Sequence, residues 1–378
     1  MKITDIKTLI TFAGWRNFIF VQVFTDEGIV GVGEASLEWN ELAVEGAVRN
    51  LSPLVIGQDP CRIEGLWQRM FRDPYWRGGP VITTALSGIE QALWDIAGKK
   101  LGVPVYQLLG GKCRATLRAY ANAWYRGATT PKDFAERAIK TVEKGYTALE
   151  WDPFGAADLI MSYEERKRAI EIVRAVRAAV GEEIDLLIEV HGRLNPATAI
   201  EMAKELEEFH PYWYEEPVPP DNLEALSKVA ASITIPIATG ERLYTKYGFR
   251  ELLSSQAADI IQPDLCHAGG ILEVKKIAAM AEAWYVPVAP HNPNGPVGTA
   301  ATVHLGASTP NFLILEYFCE DEEWLPEIVK EPIRYEKGEV IIPERPGLGI
   351  ELKEAGIAKR PYQPTRLDMF QPGWEKRL

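Results

Sequence analysis

Between residues 115 and 320, short apolar runs alternate with amphipathic stretches. The runs read LRAYANAW, YTALEWDP, IDLLIEVHG, YWYEEP, IPIATGE, ADIIQPD, YVPVAPH and FLILEYF. Each has the length of a strand, and near-continuous apolarity suits strands covered on both faces. The intervals can each hold one helix, apart from short connections whose helices the pattern does not delimit. After the third run, Asn195 is a candidate N-cap and Pro196 a first helical residue. Alternating β and α units of this kind predict a parallel sheet. Eight strands predict an α/β barrel, with a doubly wound open sheet as the alternative.

The flanks have a different texture. Residues 1–37 read as antiparallel strands, KTLITF, NFIFVQVF and IVGVGEAS, with a hairpin at TDEG. The GVG in the third strand lacks the third glycine and the β–α crossover of a dinucleotide loop. Residues 40–110 read as helices. In SGIEQALWDIAGKKLG, Ile89, Leu93, Ile96 and Ala97 form a core-facing stripe behind a candidate cap at Ser87, with Gly102 past the end. Residues 321–378 lose the alternation; EVIIPERPGLGIEL reads as strand and turn that packs back toward the N-terminal region.

A chain of 378 residues with 47% hydrophobic content can build about two domains. Its formal charge of −12, without a long basic run, argues against nucleic-acid and anionic-membrane partners. The four cysteines, Cys61, Cys113, Cys266 and Cys319, have neither paired nor C-x-x-C spacing. A disulfide framework or thiolate zinc site is therefore not expected, and the cytoplasm is. MKITDIKTLITFAG lacks the design of a signal peptide, and no apolar run approaches membrane-spanning length.

Ionisable residues collect where the strand candidates end: Glu189 and His191, Glu215 and Glu216, Glu241, Asp264, His291 and Glu316. In a barrel these carboxyl ends form one ring around the active-site mouth. Several carboxylates buried together require a compensating cation or proton. Three acids on neighbouring strands suit Mg²⁺, a hard cation that takes oxygen ligands and keeps positions open. A single strand-end acid is more often a solvated edge residue; six consecutive strands with such an ending are a pattern. Strand alternation places Glu189 and His191 on one face. It also means that only one of Glu215 and Glu216 can face the barrel mouth. His210 and His304 read as structural, and His267 is ambiguous.

The segments TDEGIVGVGEAS, WRGGP, GIEQALWDIAGKKLGVPVYQLLGG, HGR, YEEP, IPIATGER, QPDLCHAGGI, APHNPNGPVG and RPGLGIEL run in order through nearly the whole chain. The sequence thereby resembles the enolase superfamily, within it the mandelate racemase group, and most closely acid-sugar dehydratases of the D-galactonate dehydratase type. The resemblance implies a modified (β/α)7β barrel over residues 115–320. An α+β capping domain over 1–114 would be rejoined by the C-terminal segment 321–378. It implies Mg²⁺ bound by Glu189, Glu215 and Glu241. Glu215 is preferred to Glu216 as the first acid of E-E-P, 26 residues before Glu241. It implies an Asp264–His291 dyad, 23 and 50 residues after Glu241. His191 would be the second catalytic histidine, and Glu316 the acid that contacts the substrate carboxylate or enolate.

Two departures stand out. The first metal ligand is usually Asp, and here is Glu189. Many relatives carry a lysine base near the end of the second strand, where this chain reads ALEWDPF, with Glu150 and Trp151.

The implied reaction is Mg²⁺-dependent dehydration of an aldonate such as galactonate or gluconate to a 2-keto-3-deoxy sugar acid. His291 would act as base, Asp264 would orient it, and His191 would be the acid for the 3-hydroxyl. An alternative is a racemase or epimerase of a 2-hydroxy acid; the missing lysine argues against it unless His191 serves as the opposite base. A non-catalytic metal-binding barrel is the third reading. Specificity is expected from capping-domain loops near FAGWRN and DPYWRGG, offering Trp15, Arg16, Asn17, Tyr75 and Arg77, with Trp151 from the barrel. Relatives are commonly homo-oligomers, which the resemblance carries over as an expectation.

Overall fold

The computed structural model describes residues 1–319 and 324–374. The N-terminal part is a three-stranded antiparallel sheet, β1 (Ile3–Phe12), β2 (Asn17–Thr25) and β3 (Val30–Glu34), in that order. The hairpin between β2 and β3 turns at Gly28, whose φ of 79° is left-handed. Thr25 Oγ1 closes it by donating to the Ile29 carbonyl at 2.8 Å and accepting the Ile29 N–H at 3.1 Å.

Three helices follow, α1 (Glu41–Val55), α2 (Ile63–Arg72) and α3 (Pro80–Leu101); α1 and α3 cover the sheet, and α2 packs on both of those helices. The sequence pattern placed the start of α3 at Ser87, but it begins two turns earlier. Gly79 precedes Pro80, a residue whose fixed φ and missing N–H suit the first helical position. Ser87 instead sits inside the helix, its hydroxyl donating to the Thr83 carbonyl at 2.7 Å and accepting from Gly269 N–H at 3.0 Å. From Thr83 to Gly98 only Trp94 is not fully buried, because α3 is covered on opposite sides by sheet and barrel. The glycines of GVG serve this packing. A Cβ at Gly33 would lie 1.9 Å from the Gly88 carbonyl oxygen, and one at Gly31 2.2 Å from that of Ala92. They let β3 approach α3 closely.

After the short α4 (Val105–Leu108), strands β4 (Thr116–Asn122), β5 (Ala148–Trp151), β6 (Asp185–Glu189), β7 (Trp213–Glu215), β8 (Ile237–Thr239) and β9 (Ile260–Ile261) pair in parallel in chain order. β10 (Leu315–Phe318) returns to pair in parallel with β4. The seventh expected strand is reduced to parallel bridges from Val288 to Ile261 and to Phe312. Between the strands lie α5 (Pro131–Glu143), α6 (Tyr163–Val180), α7 (Pro196–Leu206), α8 (Leu223–Ala230), α9 (Thr245–Ser255), α10 (Gly270–Ala283) and α11 (Pro296–Ser308). The result is a parallel, barrel-type domain under an N-terminal capping domain.

Local chemistry starts these helices. Thr130 and Ser162 form capping boxes with Asp133 and Glu165, and Asn195 and Asn222 accept from Thr198 and Ala225 N–H. Two other helix starts are satisfied from the capping domain. Glu34 accepts from the N–H groups of Gly295, Val297 and Gly298 at the start of α11, at 2.6, 3.1 and 2.8 Å. Glu90 accepts from Ile271 and Leu272 at the start of α10, at 2.8 and 2.9 Å. Negative charge at a helix N-terminus is favoured, so these buried carboxylates bind the two domains together.

The C-terminal segment does not remain separate. β11 (Tyr335–Glu336) pairs with β12 (Glu339–Ile341), which pairs antiparallel with β4. Further on, the Arg360 carbonyl accepts from Phe12 N–H at 2.8 Å, and Gln363 is tied to Asn17. The expected boundary at residue 320 lies outside the described residues. Among the described residues no helix is long and apolar enough to cross a membrane.

Candidate active site

A cavity of about 340 Å³ opens at the carboxyl ends of the parallel strands, a size that accommodates a small organic ligand. Glu189 ends β6 and stands in register with Glu215, which ends β7. Trp213 Nε1 donates to Glu215 Oε2 at 2.8 Å and fixes that carboxylate. Glu150, on β5, brings an oxygen into the same group: one oxygen each of Glu150, Glu189 and Glu215 lies within 4.8 Å of the others. Burial pushes all three well above the usual carboxylate range, and their mutual repulsion pushes further. Glu241, just beyond β8, behaves in the opposite way. Burial pushes it up, but His291 and Arg242 outweigh that and leave it below its ordinary value. Glu216 faces away from this group and is held by Thr239, Arg242 and the Gly240 N–H, the last at 2.9 Å. The structure therefore places Glu215, not Glu216, in the acid cluster.

Beside Glu241, His291 Nδ1 lies 2.8 Å from Asp264 Oδ2, and its Nε2 is 3.6 Å from Glu241 Oε2. Asp264 also accepts from Cys266 and His267 N–H at 2.6 and 3.1 Å and from Asn294 Nδ2 at 3.1 Å. Such a carboxylate stays ionised: burial raises it, yet His267 and His291 bring it below the usual range. Burial pushes the His291 imidazole down, but Glu241 and Asp264 more than reverse this and raise it well above its ordinary value. With Nδ1–H donated to Asp264, Nε2 is the nitrogen turned toward the cavity. His267 also lines the cavity; its Nε2 donates to the Ser36 carbonyl at 2.9 Å, across the domain interface.

His191 lines the cavity too. It does not continue the strand, as alternation had predicted: β6 stops at Glu189, and His191 has a left-handed φ of 55°. Its N–H donates back to the Glu189 carboxylate, and this tight turn brings the two side chains to one site. His191 Nδ1 lies 2.6 Å from Asp152 Oδ2, and Arg193 pairs with the same carboxylate. Burial raises Asp152, but Arg193 and His191 outweigh it and keep the acid ionised. The ring of Trp374, from the C-terminal segment, meets His191 edge-on with centroids 5.8 Å apart. Glu316 completes the ring of strand ends, accepting from Asn292 N–H and, at 2.7 Å, from Asn122 Nδ2.

Residues 2–110 match the family model "Mandelate racemase / muconate lactonizing enzyme, N-terminal domain". Residues 133–356 match "Enolase C-terminal domain-like". The chain belongs to the enolase superfamily, in its mandelate racemase/muconate lactonizing enzyme family. Among its curated relatives is a D-galactonate dehydratase of Pectobacterium atrosepticum, 39% identical over 99% of this chain and 97% of the relative. A D-gluconate dehydratase of Thermoproteus tenax is 39% identical over 96% of this chain and 74% of the relative. A crystal structure of a putative dehydratase from Mesorhizobium loti superposes with a TM-score of 0.92 at 39% identity, covering 96% of this chain and 99% of that one.

Of the six residues expected to contact substrate in this enolase-superfamily chain, Trp15 lines the cavity and the other five do not. Arg16 is buried, its guanidinium stacked over Trp15, Phe18 and Phe318. Asn17 is tied to Glu41 and Gln363. Tyr75 is 86% exposed, and Arg77 lies over Phe71. Trp151 points into the core against Trp124, because strand alternation gives the cavity face of β5 to Glu150. The capping loops still contribute, through Trp15 and Leu37–Asn40, and the C-terminal segment adds Leu367, Met369 and Trp374. Sequence reasoning missed Asp152, Arg242 and Trp374. Asp152 was readable as the acid two residues past Glu150; nothing local marks Trp374.

Proposed function

We propose that this enzyme dehydrates a sugar acid, an aldonate of five or six carbons, to its 2-keto-3-deoxy product. The observation that carries the reading is that two histidine–aspartate pairs, His291–Asp264 and His191–Asp152, bring their imidazoles to one cavity that carboxylates also line. The dehydratase names of the relatives support it.

Whether the residues fit a divalent cation follows from the donor set. Glu150, Glu189 and Glu215 form no ion pair among the described residues, whereas Glu216, Glu241, Asp152 and Asp264 each have a cationic partner. Buried oxygen donors without a cationic partner suit a hard cation. Enolase-superfamily sites use a Lys or His base with Mg²⁺, and the assignment of Mg²⁺ to Glu189, Glu215 and Glu241 follows that pattern. When bound, Mg²⁺ supplies positive charge that lowers the cost of the enediolate formed on proton loss.

The chain's own residues supply the proton chemistry. His291 Nε2, in its neutral form, takes the proton alpha to the substrate carboxylate; Glu241 and Asp264, which raise the basicity of the imidazole, set how much of that form is present. Asp264 holds the imidazole with Nε2 toward the cavity and stabilises the imidazolium that results. His191, paired with Asp152, delivers a proton to the 3-hydroxyl as the C–O bond breaks, so that water leaves. Glu316, held by Asn122 and the Asn292 N–H, orients the carboxylate end of the substrate. The enol product then ketonises to the 2-keto-3-deoxy acid. The parallel strands and the bridges through Val288 support a closed (β/α)7β barrel over 115–320. The pairing of β12 with β4 and the ties of Phe12 and Asn17 to 360–363 support a C-terminal segment that rejoins the capping domain.

The likeness of the two His–Asp pairs also favours a second reading, epimerisation by two opposed bases. A panel of C5 and C6 aldonates assayed colorimetrically for 2-keto-3-deoxy acid separates them. Product formation supports dehydration; alpha-proton exchange in D₂O with no keto acid from any aldonate overturns it in favour of epimerisation.

A further inference from the structure

We propose that Glu150 is an additional carboxylate ligand of the divalent cation, set deep in the site with Glu189 and Glu215 while Glu241 stands at the rim. The inference rests on the metal-dependent reading above and concerns which oxygens hold the ion. Glu150, Glu189 and Glu215 are 3%, 3% and 1% exposed, while the Glu241 side chain is 14% exposed.

The sequence places an acid at the strand end where a lysine would have brought a positive charge. β5 lies between β4 and β6, so its cavity-facing residue is a neighbour of Glu189. The oxygens of Glu150, Glu189 and Glu215 form the cluster within 4.8 Å, and no Glu241 oxygen belongs to it. Glu241 has its own cationic partners, with Arg242 Nε at 3.5 Å and His291 Nε2 at 3.6 Å. Glu150 has a weak polar contact from Asn122 Nδ2 at 3.4 Å and no cationic partner among the described residues.

The surroundings point to an occupant as well. The Tyr120 hydroxyl, wholly buried, lies against Glu150 without reaching hydrogen-bond geometry. The buried Gln262 amide lies against Glu215 in the same condition. Protein interiors rarely leave such groups unsatisfied. Three buried acids whose oxygens converge beside two polar groups of poor hydrogen-bond geometry are a donor set that suits a cation. A divalent ion there would take the place of the protons that otherwise relieve the repulsion among these acids.

The test uses the full chain, stripped with EDTA and titrated with Mn²⁺ by calorimetry and by loss of the free-Mn²⁺ electron paramagnetic signal. Glu150→Gln keeps the shape and removes the charge. We expect its Mn²⁺ affinity to fall about tenfold or more, as for losses around other metal sites. We also expect its metal-free Tm to rise, since one of three repelling acids is gone, and its Tm gain on adding Mn²⁺ to shrink. Mn²⁺ binding like that of the wild type, with or without a lowered metal-free Tm, overturns the proposal and makes Glu150 a structural acid. Should Glu150→Gln fail to fold, Glu150→Asp withdraws the oxygens by one methylene; unchanged affinity in that variant equally overturns it. If Glu189→Gln loses Mn²⁺ while Glu150→Gln keeps it, the metal-dependent reading stands and only the role of Glu150 falls. If the wild type binds no Mn²⁺, both fall.

Discussion

Asp152 and His191 meet at 2.6 Å, Oδ2 to Nδ1, across two neighbouring strand ends. The pair repeats the relationship of Asp264 to His291, and it gives His191 a defined tautomer and orientation. If His191 is the acid for the 3-hydroxyl, His191→Asn keeps alpha-proton exchange in D₂O, because His291 is untouched. Elimination falls by about 10²–10⁴-fold, the usual worth of one general acid. Asp152→Asn gives a smaller loss of the same kind. Exchange and elimination lost in equal measure would assign His191 to the base or to positioning instead.

His291→Asn is expected to abolish both exchange and dehydration, since both begin with the same proton abstraction. Asp264→Asn leaves a weaker base in a less certain tautomer and lowers kcat. Single-turnover exchange in D₂O reads both. Wild-type exchange in His291→Asn would place the base elsewhere.

Removal of metal by EDTA is expected to silence the enzyme, and Mg²⁺ to restore it. Glu241→Gln should show weakened metal binding together with reduced activity. Full activity in exhaustively chelated protein would be incompatible with the metal-assisted reaction.

Trp374 lies at the end of the described C-terminal segment, fully buried, with its Nε1 donating to the Gly155 carbonyl at 2.9 Å and its ring against His191. Trp374→Ala should loosen the His191 imidazole and lower elimination relative to exchange, and Trp374→Phe should recover most of the loss. A ratio unchanged in Trp374→Ala removes Trp374 from the positioning of His191.

His304, buried in α11, accepts the Tyr106 N–H at Nδ1, and burial pushes its imidazole down to about 4. An unfolded histidine titrates near 6.5. Above that pH neither state binds the proton and the full stability is present. As pH falls, the unfolded chain protonates first, and stability is lost progressively as the pH passes down through about 4. The loss is on the order of 3 kcal/mol, at 1.36 kcal/mol per unit. Urea unfolding of wild type and His304→Gln between pH 7 and 4 isolates it. A constant difference between the two across that range would contradict the assignment.

Much of the site was legible because a parallel strand buried on both faces tolerates an ionisable residue chiefly at its end. Glu189, Glu215, Glu241, Asp264, His291 and Glu316 all stood at such ends, and their spacing matched a superfamily pattern. Five of the six candidate substrate contacts fared differently. A loop's composition says which side chains are present, not which way they turn. Arg16 went under three aromatic rings while its neighbour Trp15 took the cavity wall. Trp151 misled because the face of β5 depends on register, and a shift of one residue exchanges it with Glu150.

By itself the sequence determined the alternation of strands and helices, the caps that start those helices, and the acids and histidines available at the strand ends. These are local properties, set by hydrophobic period and by backbone hydrogen bonds within a few residues. Only the tertiary structure decided that Asp152 serves His191, that Glu34 and Glu90 of the capping domain satisfy barrel helices, and that Trp374 reaches the cavity. Those contacts join residues from 39 to 264 positions apart. Their energy comes from removing charge and apolar surface from water together, which no local segment can do alone.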